Sequence, residues 1–142
     1  MIEIIEKLQS TTFQSTQLTN ARLKYLSKIA QTTEDHISRI GMGLSISKGE
    51  VKNEWRPKEL ENELSIVSSL SKEKHLRGKT LFKDDLLLWL GLILQHQNPG
   101  DYNSWRTVSK LHWERGVEFL MKKSLENGDR IRTINSCFNT SE

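Results

Sequence analysis

The chain has 142 residues, a formal net charge of +3 and one cysteine, which suits a single domain able to bury a core without metal or disulfides. With 35% hydrophobic and 27% charged residues it is neither a disordered nor a membrane-embedded composition. The lone Cys137 excludes an internal disulfide and a cysteine-cluster zinc site. The start Met-Ile-Glu-Ile-Ile-Glu-Lys, as acidic as it is basic, predicts no signal peptide, so a cytoplasmic protein is expected.

The sparse prolines and glycines favour a mainly α fold. Residues 2–9 carry Ile2, Ile4, Ile5 and Leu8 in a short helical pattern. Residues 10–19 are β-branched and almost uncharged, which suits an extended segment that pairs with another copy. Thr19 or Asn20 then caps a helix with Leu23, Leu26, Ile29 and Ala30 on one face. Its cations Arg22, Lys24 and Lys28 fall largely elsewhere, toward solvent or a partner.

Thr32 or Thr33 caps the next helix, whose first turn holds Glu34 and Asp35 at the positive end of the dipole. Gly41 and Gly43 lie within it. They mark either the close approach of another backbone or a frayed helix end. Residues 47–59 read as a loop, with Pro57 opening a helix through Leu60, Leu64, Val67 and Leu70. Residues 71–80 read as a charged loop, and Asp84-Asp85 start a helix running from Leu86 to Leu94. That run is too short to cross a bilayer, which needs about 20 residues. Being apolar all round, it is expected at the centre of the fold. A long final helix repeats Trp105, Val108, Leu111, His112, Gly116, Phe119 and Leu120. A second stripe, Trp113, Val117 and Met121, suits core or a protomer contact, and Asn127-Gly128 closes the helix.

No constellation of reactive residues emerges. Neither a phosphate-binding glycine loop nor a dinucleotide fingerprint is present, and His36, His75, His96 and His112 lie on different elements without metal-ligand spacing. No catalytic residue, metal or cofactor is therefore expected. Trp55, beside Arg56 in the polar loop, is the one aromatic with the setting to stack on a base or fill a partner's pocket. Charge is unevenly spread. No acid lies between Glu6 and Glu34, or between Glu73 and Asp84, and each interval holds several cations. These segments form either one basic face or two solvated surfaces, and charge alone slightly favours the latter.

Three blocks resemble the DNA sulfur modification protein DndE family of bacterial DNA phosphorothioation systems, over residues 18–134. They are Leu23-Lys24-Tyr25-Leu26 through Thr33 to Ser38-Arg39-Ile40-Gly41-Met42-Gly43-Leu44-Ser45, then Thr80-Leu81-Phe82-Lys83-Asp84-Asp85-Leu86, then Leu111-His112-Trp113-Glu114-Arg115-Gly116-Val117-Glu118-Phe119-Leu120. The last block is similar to the family's Leu-His-x-x-Arg-Gly helix. Where the family usually has Thr-Gly between the first two helices, this chain has Ala30-Gln31. A family cysteine is Ser38 here.

The resemblance implies one domain over residues 1–142, with 1–17 as an N-terminal extension. It implies a compact helical bundle with a ribbon-helix-helix-like N-terminal half. It further implies a homo-oligomer, a tetramer, that binds duplex or nicked DNA beside the sulfur-transfer and ATPase subunits of the modification complex. On that reading Arg22, Lys24 and Lys28 neutralise phosphates, and Lys79 and Lys83 extend the patch. Two alternatives stand beside it. One is a ribbon-helix-helix regulator reading bases with Gln14, Thr16 or Gln17. The other is a pure protein–protein adaptor.

Overall fold

A computed structural model of the chain describes residues 2–63, 67 and 72–126. Its elements run α1 (Ile2–Ser10), β1 (Thr12–Gln14), α2 (Gln17–Ala30), α3 (Glu34–Ser47), β2 (His75–Arg77), α4 (Gly78–Phe82), α5 (Leu86–Leu94) and α6 (Tyr102–Glu126). The fold is mainly helical, as expected. The most extensive packing is between α3 and α6, and α2 lies against both.

The partner of β1 is β2 of its own chain rather than another copy. The two strands are antiparallel, with Phe13 opposite Leu76. Both side chains are buried while their strand neighbours point outward, as the two-residue period of a strand requires. Phe13 meets Phe82 edge-on with ring centroids 5.8 Å apart, so the small sheet is clamped to α4.

Helix α2 starts before the expected cap. Thr16 is its N-cap and accepts from the backbone N–H of Thr19. Thr19 and Asn20 are instead buried within the helix. Their polar ends are used elsewhere: the Thr19 hydroxyl donates to Glu114, and Asn20 Nδ2 donates to the Lys72 carbonyl. The helix ends at Gln31, in the left-handed region at φ 56°, the position where the resembling family carries glycine. Thr33 caps α3 by accepting from His36 N at 3.1 Å.

Close packing accounts for both glycines of α3, against a backbone at Gly41 and against a side chain at Gly43. Gly41 faces the backbone of Gly116 on α6, where a Cβ on Gly41 would lie 2.9 Å from the Gly116 carbonyl carbon. Gly43 lies under the Trp89 ring. The helix continues to Ser47, so neither glycine marks a frayed end.

The helix expected from Pro57 does not form over its described part. Residues 51–60 hold neither helix nor strand. The Lys58 N–H donates to the carboxylate of Glu118 on α6 and the Leu60 N–H to that of nearby Glu63, so side chains replace main-chain helical partners. Leu64 and Leu70 lie outside the described residues, as do Cys137, Asn127 and Gly128. The charged segment read as loop contains β2 and α4.

Helix α5 is not the all-round buried helix expected, whereas the stripes of α6 are buried as read. In α5 the stripe Leu86, Leu90 and Ile93 is buried, but Leu87 and Leu88 are 69% and 60% exposed. Leu94 is also exposed. Asp85 stands at the N-cap of α5, yet its side chain makes no capping bond. The more polar α6 is the central helix, with Trp105, Trp113, Val117 and Met121 fully buried. It begins at Asp101, whose carboxylate accepts from Ser104 N at 2.8 Å. That bond holds the Asp101 pKa below the ordinary carboxylate value.

Candidate nucleic-acid interface

The expected cations divide into buried and exposed groups. Lys24 and Lys28 are exposed on α2, four residues apart and therefore on one helical face. Lys79 on α4 and Lys83 just after it are exposed as well. None of these four lysines makes an ion pair with a described residue. Helix α3 packs against both α2 and α4, and Arg39 of α3 ties the two sides by donating to the Thr80 carbonyl at 3.0 Å.

Arg22 does not belong to this surface. It is fully buried, and its guanidinium is divided between two carboxylates. Nε lies 2.6 Å from Glu63 Oε2, and Nη1 lies 3.0 Å from Glu118 Oε1. Nη2 also donates to Glu63 Oε1 and to the Lys58 carbonyl. The planar five-donor fork suits this setting, since each carboxylate is desolvated and needs matched donors. Position explains the burial: Arg22 precedes Leu26 by four residues and follows Thr19 by three, on the buried side of α2.

Trp55 is half-buried and packed against the core, so its ring is not the open platform expected from its polar neighbours. For the regulator reading, Gln14 and Gln17 are exposed, but Gln14 Nε2 donates to Glu73 at 3.0 Å. Thr16 is occupied by Glu114, whose Oε2 accepts from the Thr16 N–H and from the hydroxyls of Thr16 and Thr19. A carboxylate from α6 thus sits at the N-terminus of α2, where the helix dipole favours negative charge.

The third resemblance block is a packing junction. Ser45 Oγ lies 2.8 Å from His112 Nδ1 and accepts from Arg115 Nε at 2.8 Å. The Ser45 hydroxyl has two acceptor lone pairs and one proton, so it can serve Arg115 and His112 together. The rest of the Arg115 fork gathers the carbonyls of Ser45, Gly49 and Glu50. This serine–histidine pair was not legible from spacing, because 67 residues separate its members. Both side chains are sealed from solvent, so the pair has no access to a substrate. It joins α3 to α6.

Burial, aided by the neighbouring charges of Arg115 and His96, pushes the His112 pKa down to about 3. The unfolded chain therefore binds a proton that the folded chain refuses between pH 6.5 and about 3. The stability tied to neutral His112 is complete above pH 6.5 and is lost as pH falls toward 3. Urea midpoints measured between pH 7 and about 5, where most carboxylates stay ionised, should fall in the natural chain. The same series for His112→Gln should be flatter, although that variant starts less stable at pH 7. Parallel slopes would show that His112 titrates normally.

Among the described residues no cluster of histidine, cysteine or acidic side chains is arranged to hold a metal. No described helix is long and apolar enough to cross a membrane. Compared with known proteins, the chain matches no family model, no curated protein and no solved structure.

Proposed function

We propose that this protein is a non-catalytic DNA-binding accessory subunit of a DNA phosphorothioation complex, similar to the DndE family. In this reading it works in the cytoplasm beside sulfur-transfer and ATPase subunits. The observation that carries the DNA contact is the pairing of exposed cations without acidic partners among the described residues. Lys24 and Lys28 project from one face of α2, and Lys79 and Lys83 stand at and after α4. Lysines so placed meet phosphates as point charges and position a duplex without reading its sequence. Arg22 contributes indirectly, by fixing α2. The order β1–α2–α3 is the one a ribbon-helix-helix-like N-terminal half calls for, while the pairing of β1 with β2 of its own chain departs from it.

Binding to a duplex should weaken steeply with salt, because each neutralised phosphate releases counterions. Lys24→Ala/Lys28→Ala should reduce the slope of log K against log[salt] by about 2, at roughly 0.9 per contact. Adding Lys79→Ala/Lys83→Ala should remove about as much again. Equal affinity and slope in the quadruple variant would remove this surface as the DNA contact. A footprint on one palindromic sequence, with little retention of other duplexes, would favour the regulator instead.

Self-assembly follows from the same resemblance and is supported by α5. Leu87, Gly91 and Leu94 recur at i, i+4 and i+7 with Leu88 beside them, and all four are exposed. A second copy is the occupant proposed for this stripe. Sedimentation should show an oligomer for the natural chain and a monomer for Leu87→Lys/Leu88→Lys. An unchanged oligomer would place the contact elsewhere.

A further inference from the structure

A concave site of about 470 Å³ opens between β1, the segment around Arg56 and the first half of α6. None of the four exposed lysines above lines it, so it is independent of the proposed duplex contact. We infer that this cleft binds the phosphate monoester of a nucleotide. Its cations converge from two elements. Arg106 and Lys110 stand four residues apart on one face of α6, and Arg56 comes from the irregular segment. Thr12 and Thr107 add hydroxyls.

The one acid in the lining is Glu114. Its Oε2 is already committed to three donors around Thr16 and Thr19. Its Oε1 lies 4.0 Å from Lys110 Nζ. Three cations against one carboxylate leave the cleft with an excess of two positive charges. Arg106 makes no ion pair with a described residue. Arg56 Nη1 donates to the carbonyls of Asn53 and Trp55, which orients the guanidinium and leaves Nη2 uncommitted among the described residues. Arginine and lysine donors of this number suit a dianion.

The volume decides between a bare anion and a larger ligand. At about 470 Å³ the cleft lies within the usual range for small organic ligands, with far more room than one phosphate group fills. Phe13 and Leu111 supply an apolar part of the lining, against which the body of a nucleoside can rest while its phosphate meets the cations. Two sources offer that chemistry: a free nucleoside monophosphate, and the 5′-phosphorylated terminus of a nucleic-acid strand.

The test is titration calorimetry on the full chain with AMP and with adenosine. In parallel, a short single-stranded oligonucleotide is titrated with and without its 5′-phosphate. Binding of AMP over adenosine assigns a free nucleotide. A gain from the terminal phosphate alone assigns a strand end. Either result, abolished or weakened about tenfold or more by Arg106→Ala/Lys110→Ala and by Arg56→Ala, supports the site. The charge-matched Lys122→Ala/Lys123→Ala variant, on the exposed end of α6, should bind as the natural chain does. Thermal melts check that every variant is folded. The inference is overturned if phosphate adds nothing in either pair of ligands. It is also overturned if the lining variants bind like the natural chain, or if the charge-matched control loses as much.

Discussion

Replacing Arg22 by Met should destabilise the fold by about 3–5 kcal/mol, the usual cost of stranding a buried charge. The variant leaves Glu63 and Glu118 side by side in the interior without their shared cation. For a chain of this size each kcal/mol lowers Tm by roughly 2–4 °C, so a fall of roughly 6–20 °C is expected. Adding Glu63→Gln and Glu118→Gln should recover a large part of it, because the stranded charge then disappears. Arg22→Lys should fall between, since one ammonium cannot reproduce a fork that meets two carboxylates and a carbonyl. Urea unfolding of the four proteins gives the comparison. A loss below about 1 kcal/mol for Arg22→Met would show that water reaches the triad, as at a surface pair.

Gly116→Ala should be the second most damaging change. A methyl group there would overlap the Gly41 carbonyl oxygen, so α3 and α6 must move apart along their most extensive contact. Overpacking of this kind costs about 1–3 kcal/mol and more where backbone is the obstacle. Alanine's better helix propensity returns about 1 kcal/mol of this. A net loss of about 2 kcal/mol or more is expected in urea unfolding. Gly91→Ala, compared with Gly116→Ala in the Leu87→Lys/Leu88→Lys background so that the α5 stripe does not enter, is the internal control: Gly91 is also helical, but a Cβ there meets nothing within 4 Å in its own chain. That variant should gain up to about 1 kcal/mol. If both substitutions stabilise the chain, the close crossing does not exist in solution.

What the sequence disclosed was local. The pattern of Ile2, Ile4, Ile5 and Leu8 was enough for α1, Thr32-Thr33 with their acidic followers placed the start of α3 to within a residue, and a close approach at Gly41 was one of two readings left open. What it concealed depended on distant partners. β2 has one buried apolar residue, Leu76, between His75 and Arg77, and it becomes a strand because Thr12–Gln14 pairs with it. Thr19 resembled a cap because a buried threonine bonded to a glutamate 95 residues away cannot be told from a capping one by spacing. The central place of α6 has the same origin. Hydropathy put α5 inside, whereas α6 buries His112, Glu114 and Glu118 because other elements supply their partners.

The candidate surface was legible to a similar degree. Lys24 and Lys28 stand in solvent, as lysines on one helical face usually do. Arg22 could have been separated from them by helical angle, since it shares the side of Thr19, Leu23 and Leu26. The cleft around Arg56, Arg106 and Lys110 gave no signal along the chain. It joins three parts of the fold that become neighbours only when β1 and the irregular segment settle beside α6.

The segment after α3 is held in place largely by the peptide groups it presents. Arg115 grips Gly49 and Glu50, Gln97 grips both sides of Val51, and Arg22 grips Lys58, each through main-chain atoms. Carbonyl and amide groups are the same whatever residue carries them. Evolutionary drift at Lys52, Asn53, Glu54 and Glu59 is therefore nearly invisible to the scaffold, and related chains can diverge there while keeping the same architecture. Because that stretch also delivers Arg56, a single exchange within it can retune what the neighbouring hollow accepts without rebuilding anything beneath.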